Sequence, residues 1–294
     1  MFRHLRDLLV LTIVLAGLLA LPSAAEPAPA AYVTAVELTG ADSSEGTIRR
    51  DGALLRPKLL MGLYTGDEIF LREAGSRIAI EAADGVEHVI SGANARFTVA
   101  DDTVPGDGLW GMLDAVSEAI GGGSDEVIPD NMITRDDGQT LRIPMAVKGA
   151  NHVVRSGGPI WIAWSGGTAP FRVTISAGET VTLLEGLNER EALVDVPSAA
   201  KSRFRVKVED AGGRTDTILI RLEEKRPEPT TGGSAVGGLM REIAYASWLT
   251  RPDGGSWSIE AARLLKPRAG GHAAARLLLA RIAEGWKNTA APAD

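Results

Sequence analysis

Between Tyr32 and Ala100 the apolar residues recur at every second position, with Ile78, Ile80 and Ala82 in one phase and Ala95, Phe97 and Val99 in another. A period of two belongs to half-buried strands. Asp51-Gly52 and Asp84-Gly85 interrupt it with residues suited to the positive φ angles of tight hairpin turns. The segment therefore reads as a compact antiparallel meander with one face buried. At Leu109 the period lengthens: Leu109, Met112, Leu113, Val116 and Ile120 follow helical spacing, and Gly121-Gly122-Gly123 ends the run. One amphipathic helix is expected there, covering the meander or leading out of it. Ser124 to Met132 reads as loop, and Asp137-Gly138 as a further turn before a strand at Leu141 to Val147.

A second β-region follows, with strands expected at His152 to Arg155, Ile160 to Trp164, Phe171 to Ile175, Val181 to Glu185, Ala192 to Val196, Phe204 to Glu209 and Thr217 to Leu222. Gly157-Gly158-Pro159, Gly166-Gly167, Ala177-Gly178 and Ala211-Gly212-Gly213 separate several of them. Short strands at this spacing, with no helical interlude, describe an immunoglobulin-like β-sandwich. Trp164 shares the phase of Ile160 and Ile162 and is expected in its core. Glu223 to Ser234 has a linker's composition, rich in charge, proline and glycine.

Beyond it the period is helical again, in three stripes: Leu239, Ile243 and Ala246; Ile259, Ala262 and Leu265; Leu278, Ile282 and Gly285. Pro252 to Gly255 and Pro267 to Gly271 break the run, and Ser256 is placed to cap the middle helix. Helices this short are marginal alone and must bury their stripes against one another, the sandwich or a partner. From Ala235 onward eight Lys/Arg face five Asp/Glu. The local excess of positive charge makes an acidic partner surface one expectation and docking on the chain's own β-domains the other.

The N-terminus is organised differently. Arg3 and Arg6 precede an apolar run from Leu8 to Leu21 and then Pro22-Ser23-Ala24-Ala25, the order of a cleaved signal peptide with its cut after Ala25. The run is shorter than the ~20 residues a spanning helix needs. Cleavage removes two arginines and one aspartate and takes the formal charge from −7 to −8. That acidity argues against nucleic acid as a partner. No cysteine is present, which excludes disulfides, thiolate nucleophiles and thiolate metal sites. The expected location is periplasmic or extracellular, with no transmembrane segment in the mature chain.

Arg50-Asp51-Gly52, the stretch from Leu60 through Gly66-Asp67 to Ile69, Gly75 to Ile80 and the Asp84-Gly85 turn together resemble the FecR domain, a small β-domain of bacterial envelope proteins. The resemblance covers residues 50–99 and implies a fold. The family's regulatory members carry a cytoplasmic segment and a transmembrane helix before this domain, whereas here the likeness is to an exported, stand-alone form. Trp161 to Gly167 and Asp210 to Gly213 look like segments of bacterial immunoglobulin-like modules. The expected organisation is mainly β. It comprises signal peptide 1–25, flexible lead 26–31, FecR-like antiparallel β-domain with a following helix 32–144, immunoglobulin-like β-sandwich 145–222, linker 223–234 and a short C-terminal α-helical segment 235–290.

Candidate chemistry is sparse. Gly106-Asp107-Gly108-Leu109-Trp110-Gly111 matches a dinucleotide fingerprint in letters, but no parallel βαβ unit surrounds it. His88, His152 and His272 fall in three different predicted regions and are expected at surfaces or edges rather than in a triad. Asp101, Asp102 and Asp107 lack the alternating spacing of an EF-hand loop and are expected as solvated charge. The tryptophans, 110, 161, 164, 248, 257 and 286, are expected mostly in packing. No catalytic, cofactor-binding or metal-binding residue and no cofactor is expected. The sequence points to a non-enzymatic binding or scaffolding protein facing an envelope protein or cell-wall polymer. The alternatives are an envelope hydrolase using carboxylates on glycan or peptidoglycan, and a ligand-sensing accessory subunit of an envelope signalling system.

Overall fold

The computed structural model describes residues 29–39, 46–82, 84–100, 113, 116, 117, 120, 140–229, 238–251 and 255–289. The signal segment, the Gly106 to Gly111 fingerprint, Trp110, the three aspartates near it and the Asp137-Gly138 turn lie outside these residues.

The first β-region holds β1 (Ala31–Glu37), β2 (Gly46–Arg50), β3 (Ala53–Leu55), β4 (Gly62–Leu63), β5 (Glu68–Leu71), β6 (Arg77–Ala82), β7 (Glu87–Ser91) and β8 (Arg96–Thr98). They form two four-stranded antiparallel sheets, ordered β4-β1-β6-β7 and β3-β2-β5-β8. The expected meander is therefore corrected: β1 pairs with β6 and β2 with β5, and only the β2–β3 and β6–β7 steps are hairpins. Alternation says which face of a strand is buried but nothing about which strand lies beside it. Asp51 and Gly52, at φ 51° and 83°, make the β2–β3 turn as anticipated. Val33, Ile48, Leu63, Ile69, Ile78 and Ile80 fill the core between the sheets.

The second region supplies β9 (Ala150–Val154), β10 (Ile160–Ala163), β11 (Phe171–Ala177), β12 (Thr180–Leu187), β13 (Glu191–Val194), β14 (Arg203–Glu209) and β15 (Thr215–Glu223). Five form one sheet, β12-β11-β14-β15-β9, and two form the other, β10-β13. All pairings are antiparallel except β15–β9, which is parallel. This is the sandwich expected from seven strands. Trp164 is buried and meets Phe171 edge-on, ring centroids 5.4 Å apart. Residues 141–147 do not form the expected strand: one bridge, Arg142 to Ser165, is made there, while Leu141, Ile143 and Met145 pack into the sandwich core.

Three helices follow, α1 (Leu239–Leu249), α2 (Ser258–Ala269) and α3 (Ala273–Ala283). Their stripes are buried in one continuous core with the sandwich, joined by Tyr32 and Leu60 of the first β-region and by the helical residues Leu113, Val116 and Ile120. Docking on a partner is thus not what hides them; packing on one another and on the chain's own β-regions does. Ser256 does not cap α2. A 3₁₀ turn at Gly255–Trp257 runs straight into the helix, which places Ser256 inside the turn, and Trp257 occupies the cap position without a side-chain bond.

Two buried carboxylates carry much of this docking. Glu81 of β6 accepts the N–H groups of Leu239 and Met240, both at 3.1 Å, and so caps α1, whose own cap residue, Gly238, offers no side chain. Burial pushes the Glu81 carboxyl up, and the two N–H bonds only partly oppose it. Glu260 of α2 accepts the Val154 N–H at 3.1 Å and pairs with Arg226 at 2.6 Å and with Arg263. Arg263 in turn donates to the Val154 carbonyl at 2.9 Å. Strand β9 is an edge, and these two side chains occupy the backbone groups that another strand would have bonded.

Candidate binding surfaces

The residues with chemical potential are mostly committed to structure. Among the described residues each buried carboxylate accepts two or more donors. Asp67 takes a forked pair from Arg50 at 3.0 and 2.6 Å and the Tyr64 N–H at 2.9 Å, so the Arg50 and Gly66-Asp67 stretches behind the FecR resemblance meet as a clip. Asp210 accepts the N–H groups of Thr168 and Arg214 at 3.0 and 2.8 Å and pairs with the Arg214 guanidinium at 2.7 Å. Burial pushes the Asp210 carboxyl up, but these donors outweigh it and hold the group below the ordinary range.

The histidines do not converge. His88 lies on β7 against Phe97, centroids 5.2 Å apart, and His272 occupies the cap position of α3. His152 on β9 bonds Glu223 through Nδ1 at 2.7 Å and stacks on Trp257 at 5.2 Å. Trp161, Trp248 and Trp286 pack with the core, as expected for most of the indoles.

One pair escaped sequence reasoning. The Lys287 ammonium donates to Ser258 Oγ and, at 3.4 Å, to the Met145 carbonyl; burial pushes its pKa down. A serine bonded to a lysine whose charged form is disfavoured by burial is the arrangement of a nucleophile and its base. Ser258, however, is completely buried, so no substrate can approach its oxygen. Asn288, beside Lys287, donates to Ser247 at 2.6 Å, and together the cluster clamps the segment after α3 onto α1 and α2. The two residues are 29 apart, and no spacing rule could have paired them.

The longest of the sheet edges among the described residues and one sheet face stand out on the described surface. Strand β12 is the edge opposite β9, and nothing in the described residues covers it. It runs for eight residues, with Val181 and Leu183 61% and 47% exposed. Register places both on the outer face, across from Ser176 and Thr174 of β11. Edges are normally guarded by lysine, proline, inward charge or a cover. Here the guards are Glu185, tied to Arg172 at 2.9 Å, and a break in register at the strand's far end, between the Val173–Leu184 and Phe171–Leu187 pairs, which leaves the stretch from Thr180 to Leu184 regular. The outer face of the same sheet carries Arg203, Arg205 and Lys207 on β14 and Arg221 and Glu223 on β15.

No family model and no curated protein matches the chain, so the FecR resemblance rests on its strand and turn pattern. Among solved structures, one similar in part is described as a Ca²⁺-stabilised adhesin that helps an Antarctic bacterium reach out and bind ice. It is 15% identical, with a TM-score of 0.18, over 67% of this chain and 45% of that one. The alignment thus spans less than half of the adhesin chain, and a likeness this low bears on neither fold nor function.

Proposed function

We propose that this chain is a non-catalytic binding or scaffolding protein of the bacterial envelope, exported by cleavage near Ala25, that engages a partner protein by strand addition at β12. The observation that carries the reading is the open edge of the five-stranded sheet. An unpaired strand with alternate exposed apolar side chains offers main-chain bonds for affinity and side chains for selectivity. The opposite edge, at Val154, is closed by Glu260 and Arg263. The commitment of the buried carboxylates to backbone and arginine donors supports the absence of catalysis.

The test is a photo-crosslinking residue at position 183 in the full chain, expressed in cells, with a crosslinker at position 54 as control. A discrete adduct to an envelope protein is expected at 183, lost when Val181→Lys is added. Absence of any adduct from a folded protein would overturn strand addition, and cell-wall digestion by the purified chain would overturn the non-catalytic reading.

A further inference from the structure

On the outer face of the five-stranded sheet the charges cancel at one end and not at the other. At the first, Arg172 pairs with Glu185 at 2.9 Å and Glu209 at 3.8 Å, and Lys207 pairs with Glu209 at 2.8 Å. At the second, Arg203 and Arg221 stand directly across the β14–β15 ladder from each other, and Arg205, facing Leu219, is the diagonal neighbour of Arg221. All three are exposed, and among the described residues none has an acidic partner. Like charges placed directly opposite on a sheet are unfavourable. A chain of net charge −7 has carboxylates enough to avoid this arrangement, yet here it keeps three arginines together.

The row continues across the sheet. His152 of β9 is in register with Arg221, and its ring lies on the indole of Trp257, which is half-buried. Glu223, the nearest acid on the face, is held by His152 at 2.7 Å. Adjacent strands are about 4.8 Å apart, so Arg203, Arg221 and His152 mark out about 10 Å and end on an aromatic ring.

We infer that this row binds an acidic polysaccharide, an assignment that rests on reading the chain as a binding protein. Guanidinium groups form forked, charge-assisted bonds to carboxylate or phosphate oxygens, and a flat line of them suits acidic groups repeated along a polymer. Trp257, stacked on His152 and packed against the core on its inner side, keeps part of its indole exposed at the end of the row, where the apolar face of a sugar can make contact. A protein partner would want a buried aromatic or aliphatic anchor in a central pocket, and the strip has instead the half-buried Leu219 on a flat sheet.

The experiment is titration of the full-length mature chain with polygalacturonate, phosphorylated dextran, neutral dextran and polyglutamate at low and high salt. One or both acidic glycans bind, salt weakens the binding, and neutral dextran does not bind; which of the two binds identifies carboxylate or phosphate as the recognised group. Arg203→Gln with Arg221→Gln weakens the glycan by about tenfold or more, whereas Arg172→Gln, at the neutralised end, changes it less than about twofold. Trp257→Leu weakens the glycan and spares any residual polyglutamate binding. No binding of either acidic glycan, or binding indifferent to the arginine pair, overturns the proposal. Polyglutamate binding as tightly as the glycans and surviving Trp257→Leu overturns it in favour of an acidic protein. Because crosslinking at position 183 reads the β12 edge separately, failure here leaves the strand-addition result standing.

Discussion

The seal on the β9 edge makes a quantitative prediction. Glu260→Ala removes the acceptor of the Val154 N–H and the partner of Arg263, whose side chain is only 5% exposed. Breaking a buried pair from one side leaves an uncompensated charge in a medium that solvates it poorly, at a cost of about 3–5 kcal/mol. Arg263→Ala alone should cost less, about 1–3 kcal/mol, because Glu260 keeps Arg226 at 2.6 Å while the Val154 and Gly158 carbonyls lose a donor. Replacing both by alanine removes the two charges together. The double variant should then cost less than the sum of the singles, with a coupling of about 2 kcal/mol or more. Urea unfolding of the full chain measures the cycle, and hydrogen exchange at the Val154 amide supplies a local readout that should lose protection in Glu260→Ala. Gly157 belongs to the same seal, since a Cβ there would overlap the Arg263 guanidinium. An Glu260→Ala cost under about 1 kcal/mol with Val154 still protected, or strictly additive singles, would refute the reasoning.

Two further outcomes follow from the buried polar groups. The Asp210 carboxyl lies below its ordinary value, so the stability it contributes is present above the unfolded-state pKa near 3.8 and lost as pH falls through the folded value; Asp210→Asn should flatten that acid limb in a pH series of thermal melts. Ser258→Ala should destabilise by about 1 kcal/mol through loss of the Lys287 bond, and a serine-directed fluorophosphonate should leave Ser258 unlabelled in the native chain; labelling there would mean that the Ser258–Lys287 pair is an accessible nucleophile after all.

The sequence by itself determined the kinds of element and most of their faces. Backbone period and turn chemistry are local, so the Asp51-Gly52 hairpin, the seven sandwich strands and the core phase of Trp164 were all readable without a fold. It also separated the tail of helices from the sheets, because Leu239, Ile259 and Leu278 begin stripes at a different period. Tertiary structure alone decided the rest. Strand partners in the first region depend on loop closure and face matching between distant segments, which is how β1 comes to lie on β6 instead of on β2. Only the fold brings Glu81 beneath α1, 158 residues away, and Glu260 against Val154, 106 away. The arginine row has the same origin. Nothing in the one-dimensional order places Arg203, Arg221 and His152 side by side; that follows from an antiparallel ladder on one side of β15 and a parallel one on the other, which no local periodicity encodes.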